Sequence, residues 1–330
     1  MKKLLLFLTS SCFGIGLFFW VMEKIGWDQI WATFRNFSIW SIFIILGLSI
    51  LIILVGSRKW QIILKSQGYK LPFSKVLKAY LIGFSLDYLT PFATFGGEIV
   101  RGYSLKEDSL SWEKIIASIG ADKILDCSVV LFTIASGLLL FNYRFGTSLV
   151  GSKIIFAISV LIILTVLFFY FKVRNKESIV RFFIQAIGLE KSKSGEVVVN
   201  VEKEIFSIFR QKKHFAEIFS LTILRWAVFL IRHWVLLYLL GIRIDILGAF
   251  SILSFTFLTY FLPTPALLGS HEVVQSLIFP FYGFSSGAGA AFTLILRTGD
   301  LFAAFLGIAL LFHSWWGVLF EFLKRRFKIK

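Results

Sequence analysis

Thr90-Pro91-Phe92-Ala93-Thr94-Phe95-Gly96-Gly97-Glu98 sets a proline, two adjacent glycines and a carboxylate inside a run otherwise apolar enough to sit in lipid. A plain spanning helix does not read this way. Backbone freed by Pro and Gly is tolerated at membrane depth only where protein or a water-filled cavity covers it, so such breaks tend to line sites. The stretch has an echo in Thr264-Pro265-Ala266-Leu267-Leu268-Gly269-Ser270-His271-Glu272, where the glutamate again falls seven residues after the proline. Pro91, Gly96, Gly97, Pro263, Pro265 and Gly269 are the expected hairpin breaks.

The two copies are 174 residues apart, and that one offset, applied without gaps, brings other scarce residues into register. Arg58-Lys59-Trp60 lands on Arg232-His233-Trp234, Lys123 on Arg297 and Asp126 on Asp300. Shared Leu or Phe would mean nothing in so apolar a chain. Shared charges, prolines and tryptophans indicate an internal repeat, with halves at about 37–141 and 211–316.

The composition sets the class. The chain has 330 residues, 57% hydrophobic and only 16% charged, with a mean hydropathy of +0.82, which excludes a water-soluble domain of this size. The expectation is one polytopic all-α membrane domain over 1–330, with about six to eight transmembrane helices. A net charge of +16 first raises the question of nucleic acid. The Lys and Arg sit between apolar runs, however, as cytoplasmic loops do where they meet anionic lipid headgroups, and no nucleic-acid recognition motif accompanies them. Cys12 and Cys127 lie in apolar runs and give neither a disulfide framework nor a metal site.

Leu4 to Met22 is too long for the middle of a signal peptide and reads as a first span starting in the cytoplasm. Glu23 to Asn36 reads as a short loop and Phe37 to Gly56 as the second span. Ser57 to Lys78 carries Arg58, Lys59, Lys65, Lys70, Lys75 and Lys78 without an acidic residue, so the positive-inside rule makes it a cytoplasmic loop. Ala79 to Gly97 enters the membrane and breaks, Arg101 to Glu113 is polar, and Ile115 to Phe141 and Ile154 to Phe171 are spans. A basic linker of about 172–215 follows, with Ile179, Phe182, Phe183, Ala186 and Ile187 spaced as on an amphipathic surface helix.

Phe219 to Leu240 is a span, Ile246 to Ser270 the second broken stretch, Val273 to Tyr282 a short apolar segment, and Ala288 to Trp316 the last span before a basic tail. If both basic loops are cytoplasmic, Ala79 to Glu98 enters and returns on one side as a re-entrant hairpin. Three crossings then separate the starts of the two halves. The repeat is therefore expected to be inverted, the second hairpin dipping from the opposite side, with N- and C-termini in the cytoplasm of a cell bounded by its inner membrane.

Ionisable residues inside spans are expensive and mark sites by default. Glu98, Arg101, Asp122, Lys123, Asp126, Arg232, Glu272, Arg297 and Asp300 are the expected translocation path, and Arg225 is a further charge within a span. Asp122 and Asp126, four apart, share a helix face, and Arg297 and Asp300 are neighbours at three. Each is equally readable as a structural ion pair. Arg and Lys suit an anionic headgroup phosphate, while Glu98 and Glu272 can take up protons or contact an amine.

His271-Glu272-Val273-Val274-Gln275 approaches the zinc-protease pattern but puts Gln275 where the second His belongs. Gly283-Phe284-Ser285-Ser286-Gly287 fits Gly-x-Ser-x-Gly without the strand-to-helix turn that motif requires, so a loop is the better reading. An intramembrane hydrolase using Ser285 and His271 stays open as another class. No phosphate-binding Gly-x-x-x-x-Gly-Lys-[Ser/Thr] motif occurs. No cofactor or metal is expected, and no enzymatic activity.

Arg58-Lys59-Trp60, Asp87-Tyr88-Leu89-Thr90-Pro91 through Gly96-Gly97-Glu98-Ile99-Val100-Arg101, Lys123-Ile124-Leu125-Asp126, and Leu262-Pro263-Thr264-Pro265 through Gly269 and Glu272 resemble the flippase-like family named after the transmembrane region of lysylphosphatidylglycerol synthase. The resemblance covers nearly the whole chain, and Gly-Gly-Glu-x-x-Arg is its sharpest element. Lys123 departs from it, standing where the family is expected to carry Arg. It implies ATP-independent flipping of an anionic phospholipid or lipid-linked sugar between leaflets, with a membrane phospholipid or lipid-linked saccharide as partner and a homodimer left open. Some family members carry a soluble aminoacyl transferase domain; none is expected here, so the synthase activity is not carried over. The second reading is a membrane-bound transferase or hydrolase, or an accessory subunit of a lipid glycosyltransferase or aminoacyl-lipid synthase system.

Overall fold

In lipid a chain must satisfy its backbone N–H and C=O groups internally, and a helix does so within one segment. The computed structural model of the chain describes residues 2–34, 38–90, 96–105, 111–146, 149–175, 178, 193–262 and 264–327, and these contain twelve α-helices and no strand. They are α1 (Lys2–Ile25), α2 (Trp27–Phe34), α3 (Ile39–Ser66), α4 (Phe73–Leu89), α5 (Gly96–Ser104) and α6 (Trp112–Phe145). There follow α7 (Leu149–Asn175), α8 (Lys193–Arg210), α9 (Lys212–Leu239), α10 (Ile246–Leu258), α11 (Ser270–Ile278) and α12 (Ser286–Phe327). Five stretches among them are long and apolar enough to cross a bilayer: Ile39–Ser66, Trp112–Phe145, Ser152–Lys172, Lys212–Leu239 and Ser286–His313. The chain is an all-α membrane protein. α7 turns Leu161, Leu164 and Phe168 outward, as a lipid-facing helix does.

Several boundaries differ from those read in the sequence. α3 runs ten residues past Gly56 to Ser66, so Arg58, Lys59 and Lys65 lie on a helix and not in a loop. Charge content ended the span on paper; in the fold Lys59 has buried partners and the helix continues. The supposed loop at Glu23–Asn36 contains α2, set off from α1 by Gly26 at φ 85°. Arg101 belongs to α5 and is buried. Pro91, Pro263 and the amphipathic run Ile179 to Ile187 lie outside the described residues. In the linker, α8 buries Phe206, Ile208 and Phe209 in the core cluster that includes Ala121 and Leu125 of α6.

Helix boundaries follow the repeat. Gly96 and Ser270 open α5 and α11, and Trp112 and Ser286 open α6 and α12, each pair 174 positions apart. The counterpart helices α3 and α9 pack along each other. Ser49 meets Arg232 while Gly56 meets Arg225, so the two run antiparallel. The rest of the packing is reciprocal: α4 lies against α12, and its counterpart α10 lies against α6. At one end of the bundle the Gln211 side chain donates to the Ser66 carbonyl at 2.9 Å. At the other, Arg144 of α6 pairs with Asp245, just before α10, at 2.6 Å.

Both broken stretches are helical hairpins. α5 folds back along α4, with the Gly97 N–H donating to Asp87 Oδ1 at 2.9 Å and Arg101 packed opposite Gly83. Gly83 and Gly97 touch backbone to backbone, and a Cβ on Gly97 would run into the Gly83 carbonyl and the Asp87 N–H. Two facing glycines are what allow this approach. α11 folds back along α10, with Gln275 donating to Thr256 Oγ1 at 2.8 Å and His271 stacked on Tyr260. Its connection holds Ala266 at φ 49° and Leu267 at φ 56°, left-handed conformations unusual without glycine. α1 covers this second break: Gly14 lies against Leu268 and Thr264, and Gly269, at φ 78°, lies against Gly14.

Candidate functional site

Eight ionised side chains gather behind the first hairpin. α3 supplies Lys59, which sits 2.7 Å from both Asp122 Oδ1 and Asp126 Oδ1. Asp122 and Asp126 share a face of α6, as their spacing implied, and that face is turned to the α3 lysine. Arg101 of α5 reaches Asp122 at 2.9 Å and Glu98 at 3.3 Å, with its guanidinium 3.7 Å from the Trp60 ring centre and 4.6 Å from that of Tyr80. A guanidinium stacked between aromatic faces and bound to two carboxylates is held in one orientation. Arg225 of α9 closes the group from the second half, 2.5 Å from Asp126.

Lys123 projects from the flank of α6 toward the hairpin break, 2.7 Å from Glu98 Oε1 and 3.7 Å from Asp87 Oδ2. Its side chain is 36% exposed, so this corner is the open part of an otherwise buried group. The cations Lys59, Arg101, Lys123 and Arg225 balance the carboxylates Asp87, Glu98, Asp122 and Asp126 one for one. Burying that many charges is tolerable only because each is paired.

The second hairpin carries a smaller set. Arg297 of α12 grips Glu272 of α11 with both nitrogens, at 2.5 and 3.0 Å, and donates to the Leu267 carbonyl in the left-handed turn at 3.2 Å. Glu272 also accepts the Gly269 N–H at 2.9 Å, capping its own helix. Glu98–Lys123 and Glu272–Arg297 are thus counterpart pairs at the 174 offset, each joining a hairpin glutamate to the cation of the following helix. Arg297 and Asp300, adjacent on α12, do not pair with each other as their spacing suggested. Asp300 pairs with Arg232 at 2.6 Å, and Arg232 also donates to Ser49 at 2.9 Å. Tyr88, at the end of α4, lies within electrostatic reach of Asp300 and Arg297 of α12, and α4 also packs against the Pro265–Leu267 turn of the second hairpin.

Sequence reading missed Lys59 and Asp87 as members of the site, and marked Arg225 as a candidate charge within a span without placing it on the path. Lys59 was hidden by its basic neighbours, although its register with His233 had marked it. Asp87 was legible only as a lone carboxylate one turn before the Pro91 break. The hydrolase pair does not form: Ser285 Oγ accepts the Ala288 N–H at 3.1 Å as a cap of α12, and His271 packs on Tyr260.

An all-α bundle whose two broken hairpins each present a glutamate to a cation on the next helix belongs to the class of polytopic membrane proteins with an ionised interior. Residues 4–311 match the model for the lysylphosphatidylglycerol synthase TM region, and the chain belongs to that family. It is similar to the UPF0104 membrane protein PH1989 of Pyrococcus horikoshii, at 23% identity over 90% of this chain and 92% of that one. The UPF0104 membrane protein MJ1595 of Methanocaldococcus jannaschii is 22% identical over 90% of each chain.

Proposed function

We propose that the chain moves an anionic phospholipid, or a lipid-linked sugar bearing phosphate, between the leaflets of the cytoplasmic membrane without ATP. The observation that carries this is the half-exposed Lys123 at the break of the first hairpin, backed by Glu98, Arg101 and a buried, charge-balanced group. Lysine at an opening is a mobile point charge suited to a headgroup phosphate. The interior it opens onto lets a polar headgroup pass without meeting bare hydrocarbon. Glu98, Arg101, Asp122, Lys123, Asp126, Arg232, Glu272, Arg297 and Asp300 line the path, with Lys59, Asp87 and Arg225 added. The halves are inverted across the bilayer, the termini are cytoplasmic, and the exposed basic side chains at the cytoplasmic end meet anionic headgroups.

The test is leaflet exchange of fluorescent phosphatidylglycerol in proteoliposomes. Lys123→Ala and Glu98→Gln should each slow exchange by on the order of tenfold, the equivalent of about 1.4 kcal/mol in the barrier, with protein yield unchanged. Exchange in both variants at the wild-type rate would remove these residues from the path.

A further inference from the structure

Among the carboxylates of the two charged groups, Asp87 stands apart in its partners. Asp122 lies between Lys59 and Arg101, and Asp126 between Lys59 and Arg225. Glu272 is gripped by both nitrogens of Arg297, and Asp300 has Arg232. Among the described residues, Asp87 has as partners a shared lysine at 3.7 Å and the Gly97 N–H. Its competitor for Lys123 is Glu98, 2.7 Å from the same ammonium. Two carboxylates therefore crowd one cation, at the most open corner of the group among the described residues.

The other charges facing this corner are committed. Arg101 comes from α5, Asp122 and Asp126 from α6, Lys59 from α3 and Arg225 from α9, each held in the pairs above. On α12, packed on α4, Arg297 is held by Glu272 and Asp300 by Arg232. Because cations and carboxylates balance, a phosphate monoanion arriving at Lys123 would leave the group one negative charge in excess. Burying that excess is unfavourable unless a carboxylate gives up its own charge.

We infer that the Asp87–Glu98 pair binds a proton when Lys123 binds a phosphate-bearing ligand, so that the anion and one proton are carried together. The inference rests on the translocation reading and names its coupling ion. One carboxylate takes the proton onto an oxygen and becomes neutral, Lys123 Nζ transfers its ion pair from that carboxylate to the phosphate oxygen, and the net charge of the group is zero before and after. Glu272 is excluded from this role because Arg297 and the Gly269 N–H hold it and its side chain has no exposed surface.

The experiment is calorimetry on the detergent-solubilised full chain with two probes, short-chain phosphatidylglycerol and inorganic phosphate, in buffers of differing ionisation heat. Wild type should take up about one proton per phosphatidylglycerol bound, with affinity rising by up to about tenfold for each pH unit lowered. Asp87→Asn and Glu98→Gln should each reduce the proton count toward zero and flatten the pH dependence. No proton uptake by wild type, or an undiminished count in both variants, overturns the coupling and leaves translocation standing. Proton-linked binding of inorganic phosphate but not of the lipid assigns the site to free phosphate and overturns the lipid ligand. Proton-linked lipid binding without leaflet exchange at any pH sinks the translocation reading alone. If neither probe binds wild type, both fall.

Discussion

The two hairpins do the same local job with different chemistry. In the second, arginine holds Glu272 with two bonds, the glutamate side chain has no exposed surface, the arginine is 7% exposed, and α1 seals the break. In the first, lysine shares itself between Glu98 and Asp87 and is 36% exposed. A guanidinium fork locks a carboxylate; an ammonium merely neighbours it. One repeat thus supplies both a closed hairpin and a more open one, the contrast on which the proposed alternating access would rest.

The sharpest way to break this contrast is to remove one partner on each side. Glu272→Gln should destabilise the protein by about 3–5 kcal/mol, since it leaves Arg297 buried against a neutral amide, and thermal unfolding in detergent measures it. Glu98→Gln, beside an exposed lysine, should lower stability far less while slowing leaflet exchange. Equal destabilisation would mean the hairpins are equivalent after all.

Gly97→Ala comes next. Its Cβ would push α5 off α4, at about 1–3 kcal/mol as for other overpacked contacts, and exchange should fall with it. Lys123→Arg sharpens the comparison from the other direction by giving the first hairpin the cation of the second. It should raise the unfolding temperature slightly and slow exchange, because the fork would close on Glu98.

The smallest effect belongs to the exposed end. Arg144 holds the Asp245 carboxyl below its ordinary range by hydrogen bonding and charge. A depressed carboxylate contributes stability above its unfolded value and loses it as pH falls through the folded one, so Asp245→Asn should have its full effect, at most about 0.5 kcal/mol, above about pH 4 and progressively less below it.

The hairpins were legible because prolines and paired glycines are scarce in lipid-soluble sequence, and the repeat because charges and tryptophans are. One offset put Glu98 in register with Glu272 and Lys123 with Arg297, but that each glutamate pairs with its cation came only from the fold. What the sequence concealed were partners chosen across helices. Lys59 looked like loop charge because nothing local shows that α6 presents two aspartates to it. Arg297 and Asp300 looked like a pair because spacing along one helix cannot reveal that α11 and α9 supply stronger partners. Helix ends failed similarly: α3 continues through basic residues because tertiary ion pairs absorb one of them.

The central claim is that the halves face opposite sides of the bilayer. Lys70, after α3, and Arg243, after α9, are exposed residues in corresponding turns. In a background with Cys12 and Cys127 replaced by serine, Lys70→Cys and Arg243→Cys can be labelled in intact cells with a membrane-impermeant maleimide. The account predicts that position 243 reacts from outside and position 70 only after the membrane is opened; reaction of both from the same side would contradict it.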